Sequence, residues 1–295
     1  MKVRTAIVSV PASTSNLGSG FDTLGLAVQL YNVITARTPA LDSKADSAQS
    51  NGVPGPEQSL IETAAEAFFK AAGIAPIDYE ISFANKIPIT RGLGSSSTIR
   101  VGVMAALNNL CGIPITRFRI LQIAAELEGH PDNATPAVLG GFTVSARIDG
   151  EVRWWRFSVS PKVRLVTLIP KFGIETEKAR SLVPNEFSKQ DAAHALNRTA
   201  AITAAFAKQE YASLKGLFDD RFHQPYREKL IPELRSVIEA GEQAGAVGGW
   251  LSGSGSAIMC LTLKNPKAVA NAMRAALPDS KILILKPENL GYLNK

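Results

Sequence analysis

The sequence predicts an α+β fold in which helices cover one face of a mainly antiparallel sheet. Segments with the period of a strand alternate with segments with the period of a helix along the chain. Asp149-Gly150 joins two strand-like segments, and this dipeptide favours the tight turn of an antiparallel hairpin. In the second half, strands at residues 163–169 and 281–285 enclose a run of helices. This order of elements is typical of α+β proteins.

The elements of the first half follow from periodicity and from capping residues. Leu60, Ala64, Phe68 and Ala72 recur at helical spacing, and Gly73 is placed to end their helix. In order, we predict a strand at 4–10, a polar loop after it, an apolar segment at 24–31, a flexible loop or lid at 39–56, the helix just described and a strand at 79–83. These are followed by a helix carrying Ile99, Val103, Leu107 and Leu110, a helix from the N-cap Thr116 to Leu127, and hairpin strands at 141–148 and 151–159.

The second half begins just after the hairpin, where we place a domain boundary that gives domains 1–160 and 161–295. Its first element is the continuous apolar strand 163–169. The remaining elements are helical patterns at 175–182, 189–208 and 226–244, two strands around residues 253–255, an alanine-rich helix and the strand 281–285.

Composition restricts the class of protein. Of the 295 residues, 45% are hydrophobic and 20% are charged, as in a soluble globular protein. The net charge of +6 suits an anionic ligand such as a nucleotide, but a basic surface needs no ligand to explain it. No basic block with interleaved aromatic residues is present, so we expect no nucleic-acid partner. Two isolated cysteines, and no apolar run typical of a signal peptide or a membrane helix, predict a cytoplasmic protein without membrane contact.

A turn rich in glycine and serine occupies residues 91–97, between a predicted strand and a predicted helix. Glycine lets backbone amides approach a phosphate, and the next helix directs its N-terminal amides to the same place. No lysine follows the glycines, which excludes a P-loop, and Ser97 stands where a dinucleotide fingerprint needs its third glycine. The turn therefore predicts either a phosphate nest, with serine hydroxyls near phosphate or Mg²⁺, or an ordinary capped turn.

Two polar segments flank this turn in sequence. In residues 13–22, Asn16 and Asp22 could orient a small polar substrate, and the carboxylate of Asp22 could meet an ammonium group. Ordinary turn chemistry explains the same residues. In residues 128–133, Glu128 could bind Mg²⁺ together with phosphates, while His130 and Asp132 contact a substrate. A polar helix end is an equally good explanation of that segment.

Together and in this order, the segments resemble the GHMP superfamily of small-molecule kinases, named for galacto-, homoserine, mevalonate and phosphomevalonate kinases. Residues 88–96 resemble the superfamily's ATP loop and residues 251–255 its third, glycine-rich motif. Residues 10–25 and 128–137 are similar to motifs of the homoserine kinases within it. The resemblance covers nearly the whole chain. It implies an N-terminal domain like ribosomal protein S5 domain 2, a ferredoxin-like C-terminal domain, and an active site in the cleft between them.

The resemblance also implies ligands and site residues. We expect ATP, Mg²⁺ and L-homoserine as ligands, and a homodimer is compatible with the sequence. The residues implied to bind ATP are Pro88, Arg91, Gly92, Leu93, Gly94, Ser95, Ser96 and Ser97. Those implied to bind homoserine are Asn16, Asp22, His130, Asp132, Arg180 and Arg227, the two arginines being suited to its α-carboxylate. Ser96 and Glu128 are implied to hold Mg²⁺.

Three questions stay open at this point. No catalytic base is assigned: Asp132 is the candidate, and transfer without a dedicated base is the working hypothesis. Arg100 stands in a helix start that is usually alanine-rich, where it either faces solvent or adds charge near phosphate. The alternative functions are a GHMP kinase for a different small alcohol and a nucleotide-binding relative without catalytic activity.

Overall fold

The computed structural model describes residues 4–39, 56–112 and 115–295. These residues form two antiparallel sheets with helices packed against them, which confirms the predicted α+β class. Among the described helices, none has the length and apolar character needed to cross a membrane. The loop or lid predicted at 39–56 lies outside the described residues, except at its two ends.

The first sheet has the strand order β10-β1-β2-β4-β5, and β3 pairs with β2 beside this path. Its strands are β1 (Thr5–Asn16), β2 (Gly20–Arg37), β3 (Glu80–Ala84), β4 (Phe142–Ile148), β5 (Glu151–Phe157) and β10 (Leu293–Asn294). The helices that accompany it are α1 (Pro56–Ala72), α2 (Ser95–Cys111), α3 (Arg117–Glu128) and α4 (Ala134–Leu139). Apolar side chains of α1, α2 and α3 bury themselves against β1, β2 and β3 and form the core of this half.

The second sheet has the strand order β7-β8-β6-β9. Its strands are β6 (Arg164–Ile169), β7 (Gly248–Leu251), β8 (Ile258–Thr262) and β9 (Lys281–Leu285). The helices of this half are α5 (Thr176–Ser181), α6 (Lys189–Lys208), α7 (Gln224–Arg227), α8 (Leu234–Gln243) and α9 (Pro266–Ala276). Because α8 precedes β7 and α9 precedes β9, the chain follows the split βαβ pattern expected of a ferredoxin-like domain.

Several local predictions are confirmed. Ile148 pairs with Glu151, so Asp149 and Gly150 form the two-residue turn, both with positive φ. The hydroxyl of Thr116 accepts a hydrogen bond from the backbone amide of Arg119 at 3.2 Å and caps α3 as expected. The helix predicted at 189–208 has those bounds in the structure.

The prediction of a polar loop after the first strand is wrong for most of the residues concerned. β1 continues through the serine-rich segment to Asn16, and β2 begins at Gly20. Ser13, Thr14 and Ser15 pair with residues of β2, because the neighbouring strand supplies hydrogen bonds that override the turn preference of these residues. The polar side chains are therefore held by a sheet rather than by a loop.

The single helical pattern predicted at 226–244 is also wrong, because the structure divides it. α7 ends at Arg227, a short 3₁₀ turn covers Glu228–Leu230, and α8 starts at Leu234. Pro232 lies in the gap, where its missing amide and fixed φ prevent a continuous helix.

The chain changes sheets between β5 and β6, and its C-terminal strand β10 returns to pair with β1. β10 was not predicted, because a strand of two residues is too short to show a periodic pattern in the sequence. The division at residue 160 stays a prediction.

Candidate active site

A cleft of about 490 Å³ lies where the start of α2 faces α5 and the turn between β7 and β8. Nearly all the predicted site residues line it: Asn16, Asp22, Arg91, Gly92, Leu93, Gly94, Ser95, Ser96, Ser97, Glu128, His130, Asp132, Arg180 and Arg227. Pro88 instead lines a shallower neighbouring depression. Residues distant in sequence thus share one cleft, while their individual roles remain predictions.

The glycine–serine turn has a backbone shape that other residues would not tolerate. Gly92 and Gly94 both have φ of 69°. A Cβ on Gly92 would lie 1.9 Å from the backbone oxygen of Ser252, and one on Gly94 would lie 2.2 Å from Oγ of Ser13. The turn therefore needs glycine for both conformation and space. It leads directly into α2, whose N-terminal amides favour an anion at this point.

Two serine hydroxyls at the start of α2 fit such an anion. Oγ of Ser95 and Oγ of Ser97 are buried and have no hydrogen-bond partner among the described residues. A buried hydroxyl without a partner is costly, so each has donor capacity for a ligand at the nest.

The guanidinium of Arg91 is engaged by backbone carbonyls outside the glycine–serine turn. Its Nε donates to the carbonyl of Pro170 at 3.1 Å, and its Nη2 donates to the carbonyl of Lys171 at 2.6 Å. Nη1 donates to the carbonyl of Ile89 at 3.0 Å. The side chain thus ties the turn to the loop after β6, and its predicted contact with ATP remains a prediction.

Ser96 and Glu128 provide a pair of oxygen ligands. The hydroxyl of Ser96 lies 2.7 Å from each carboxylate oxygen of Glu128, which extends from the end of α3. Hydroxyl and carboxylate oxygens are donors that Mg²⁺ prefers, so the set fits the predicted metal. Arg100, one turn after Ser96 on α2, forms an ion pair with the same carboxylate. Arg100 therefore faces the cleft rather than solvent.

At the other end of the cleft, Asp22 and Arg180 form a bidentate pair. Their oxygen–nitrogen distances are 2.6 and 3.0 Å, and about one third of each side chain is exposed. Burial alone would lower the pKa of Arg180, but the hydrogen bonds and charge of Asp22 raise it. The guanidinium also lies over the ring of Phe21, 5.3 Å from its centroid.

His130 and Asp132 form a second charged pair, with Nδ1 2.5 Å from Oδ1. Burial by itself would raise the pKa of Asp132, but the charge and hydrogen bond of His130, with a hydrogen bond from Ser15, lower it. Burial would lower the pKa of His130, and the carboxylate of Asp132 outweighs this and raises it. Both groups therefore favour their charged forms.

Asp22, His130 and Asp132 bring ligand atoms within 4.8 Å of one another, as a metal site would. Two of these three groups are already engaged, Asp22 with Arg180 and Nδ1 of His130 with Asp132. The group is therefore better suited to ion pairs with a charged substrate.

Arg227 is held rigidly beside this end of the cleft. Its Nη1 donates to the carbonyl of Gly253 at 3.0 Å and to Nδ1 of His223 at 3.1 Å, and its Nε donates to the carbonyl of Ala179 at 3.2 Å. Burial and the nearby charge of Arg180 lower the pKa of Arg227 to about 10, so it stays cationic at neutral pH. The same carbonyl of Gly253 accepts from Nδ2 of Asn16 at 3.1 Å.

The sequence did not identify a set of hydroxyl and amide groups that supports the substrate end. Oγ of Ser13 donates to Oδ1 of Asn133 at 2.9 Å, and Nδ2 of Asn133 donates to Oγ of Ser15 at 3.0 Å. All three are buried. The alternation of Ser13 and Ser15 on one face of a strand was the available signal, but it required knowing that this segment is a strand.

Comparison with known proteins places this chain in a family. The model for the GHMP kinases N terminal domain matches residues 59–141, and the model for the GHMP kinases C terminal matches residues 202–279. A homoserine kinase from Caldicellulosiruptor bescii is 34% identical over 291 residues, covering 96% of this chain and 95% of that protein. A homoserine kinase from Desulfitobacterium hafniense is 37% identical over 294 residues, covering 96% and 98%.

The fold agrees with this relationship. The crystal structure of a homoserine kinase from Cytophaga hutchinsonii matches with a TM-score of 0.88 and 24% identity, covering 99% of this chain and 97% of that one. The two-domain arrangement implied by the sequence motifs is therefore confirmed. The chain belongs to the GHMP kinase family, in which it groups with the homoserine kinases.

Proposed function

We propose that this protein transfers the γ-phosphate of ATP to the side-chain hydroxyl of L-homoserine, giving O-phospho-L-homoserine and ADP in threonine biosynthesis. The observation that supports this most strongly is the Asp22–Arg180 pair in the same cleft as the glycine–serine turn. One end of the cleft suits phosphates and the other suits a zwitterion.

The charges at the substrate end match an α-amino acid. A zwitterion offers a carboxylate to a guanidinium and an ammonium group to a carboxylate. Arg180 and Arg227 line the cleft as cations, and Asp22 and Asp132 line it as acids. Without a charged substrate, Asp22 and Arg180 pair with each other and Asp132 pairs with His130, so a simple alcohol would gain none of the charged contacts that a zwitterion can add. We therefore propose that the arginines bind the α-carboxylate, and that the acids, with Asn16 and His130, orient the rest of the substrate.

The residues at the phosphate end would hold the triphosphate. The amides of the turn at Gly92 and Gly94, with the hydroxyls of Ser95 and Ser97, would surround its oxygens. Ser96 and Glu128 would bind Mg²⁺, which when present neutralises charge on the phosphate oxygens. These residues also fix the direction in which the substrate hydroxyl must approach, and such positioning supplies much of the catalysis in phosphoryl transfer.

The reaction forms a bond between the homoserine hydroxyl oxygen and the γ-phosphorus and breaks the bond from that phosphorus to the bridging oxygen. ADP leaves with the electron pair. The hydroxyl proton passes to water or to a phosphate oxygen in our proposal. Asp132 is a weak candidate for a base, because a carboxylate whose pKa is lowered by His130 has little affinity for a proton at neutral pH.

Analogues that lack one charged group test this function. The purified protein is incubated with Mg-ATP and L-homoserine, 4-hydroxybutanoate, 3-aminopropan-1-ol or mevalonate, and products are identified by mass spectrometry. We expect a phosphate ester from L-homoserine and little or none from the analogue without the ammonium group or the one without the carboxylate. Preferred phosphorylation of mevalonate or a simple alcohol would support the alternative of another GHMP kinase. No transfer to any acceptor, with ATP still bound, would support a non-catalytic relative.

A cytoplasmic location and a homodimer remain predictions. Fractionation of the source cells and light scattering of the purified protein would test them.

A further inference from the structure

We propose that Arg100 competes with the divalent cation for Glu128, so that the site binds the metal tightly only together with the nucleotide phosphates. The proposal rests on the proposed function, since it takes Ser96 and Glu128 as the metal ligands. Arg100 is then a positioning residue that makes metal binding conditional on nucleotide.

The placement of Arg100 follows from helix geometry. Ser96 and Arg100 are four residues apart on α2 and therefore share one face. Glu128, at the end of α3, lies against that face and contacts both side chains. Oε1 of Glu128 thus contacts both the hydroxyl of Ser96 and the guanidinium of Arg100. A cation that binds Glu128 has to share it with Arg100 or displace Arg100.

Burial makes this competition stronger than it would be at the surface. The side chain of Arg100 is 15% exposed and that of Glu128 is 7% exposed. Solvent and salt screen such a pair poorly, so the guanidinium repels a divalent cation at Glu128 more strongly than it would at the surface. Without another negative group, metal binding at Glu128 is therefore opposed.

The nucleotide would supply that negative group. Nε of Arg100 is buried and has no hydrogen-bond partner among the described residues, so the guanidinium is not satisfied by Glu128 alone. Phosphates at the N-terminal amides of α2 would lie about one turn from Arg100, within reach of an arginine side chain. Their charge offsets the repulsion between Arg100 and the metal. By linkage, nucleotide then raises metal affinity and metal raises nucleotide affinity equally.

A purely structural role predicts a different outcome. If Arg100 only neutralises a buried carboxylate, its removal leaves metal affinity unchanged or lowers it by displacing Glu128. Competition predicts that removal of the charge raises the affinity for metal alone. The direction of the change therefore separates the two roles without any measurement of activity.

The test is a Mn²⁺ titration in which free Mn²⁺ is followed by electron paramagnetic resonance, first without nucleotide. Arg100→Gln retains an amide donor for Glu128 but removes the charge, and Arg100→Lys retains the charge. We expect Arg100→Gln to bind Mn²⁺ about tenfold or more tighter than the wild type, and Arg100→Lys to behave like the wild type. With a non-hydrolysable ATP analogue present, we expect the difference between wild type and Arg100→Gln to fall to within about threefold.

Controls separate this effect from net charge and from misfolding. Arg119→Gln removes the same charge from an exposed position on α3 and should leave Mn²⁺ affinity within about twofold. Far-UV circular dichroism monitors folding, and Arg100→Met is a second uncharged variant if the glutamine variant unfolds. Unchanged or weaker Mn²⁺ binding by the folded uncharged variants would overturn the proposal.

A further variant distinguishes this proposal from the proposed function. If Glu128→Gln binds Mn²⁺ as tightly as the wild type in the presence of the ATP analogue, Glu128 is not a ligand and the proposal fails. Phosphorylation of homoserine by the wild type would still stand in that case, because it is measured as a product.

Discussion

Arg180 and Asp22 are joined by two parallel hydrogen bonds of 2.6 and 3.0 Å, which link α5 in the second half of the chain to β2 in the first. About one third of each side chain is exposed, and exposed pairs of this kind contribute only about 0–1 kcal/mol to stability. We therefore propose that the pair serves substrate recognition rather than stability, because each member has the charge that one end of a zwitterion needs.

We expect Asp22→Asn and Arg180→Lys each to raise the KM for L-homoserine by about tenfold or more, since each removes a charged or bidentate contact. The KM for ATP should change by no more than about twofold. Steady-state kinetics with each substrate varied in turn measure both values, and Lys178→Ala, an exposed change on α5, is the matched control. Equal effects on the two substrates would contradict a specific role at the amino-acid end.

Asp132→Asn tests whether the reaction uses a base. The amide keeps the shape of the carboxylate but cannot accept the hydroxyl proton as a base. Without a dedicated base, we expect KM for homoserine to rise while kcat falls by less than about tenfold. A loss in kcat of about a hundredfold or more with unchanged KM would assign the base role to Asp132.

The partly buried His130 and the buried His223 should titrate on opposite sides of the ordinary value of 6.5. The pKa of His130 is raised, because Asp132 outweighs the effect of burial. The pKa of His223 is lowered, because burial dominates and Arg227 adds a second positive charge. In His223, Nε2 lies 2.9 Å from the carbonyl of Gly18, and Nδ1 accepts from Arg227, so the neutral ring satisfies both contacts.

NMR titration of the histidine rings, assigned with His130→Gln and His223→Gln, measures both pKa values. The raised pKa of His130 has a consequence for stability: its contribution is complete below about pH 6.5 and is lost as the pH rises through the folded-state pKa. The stability difference between wild type and His130→Gln should therefore shrink from pH 6 toward alkaline pH. A difference that grows over this range would contradict the assignment.

Gly92→Ala should damage both stability and ATP binding. The alanine would have to keep a left-handed backbone conformation, and its Cβ would lie 1.9 Å from the backbone oxygen of Ser252. The glycine–serine turn therefore has to change shape. Gly73→Ala is the control: it has φ of 66° but no atom within 4 Å of the new Cβ, so only the conformational cost of about 1–2 kcal/mol applies. Urea unfolding and the KM for ATP measure the two effects. Equal losses of stability and equal changes in the KM for ATP in the two variants would show that the close contact with Ser252 is unimportant.

Much of the fold could be predicted because the turns, caps and helical patterns that specify it are local in sequence. The Asp149-Gly150 turn, the Thr116 cap and helix α6 depend on residues close together in sequence. The predictions are wrong where contacts between residues distant in sequence determine the secondary structure. Ser13 and Ser15 lie in β1 because β2 pairs with them, and β10 exists because β1 offers it an edge.

The site was predictable in outline for a related reason. Its motifs are short and contiguous, so the residues of the turn at 91–97 and of the segment 128–133 could be named together. The residues that contact these motifs in the folded protein could not be named from the sequence. Arg100 meets Glu128 from 28 positions away, and Ser13 meets Asn133 from 120 positions away. The packing of α2 against α3 brings the first pair together, and the packing of α4 against β1 brings the second together.

Phosphorus-31 NMR of the wild-type protein with Mg-ATP and L-homoserine tests the proposed function most directly. We expect a phosphate monoester signal that grows in equal amount with ADP and is identical to that of O-phospho-L-homoserine. Formation of ADP with inorganic phosphate alone, or no reaction while ATP binds, would contradict the proposed transfer.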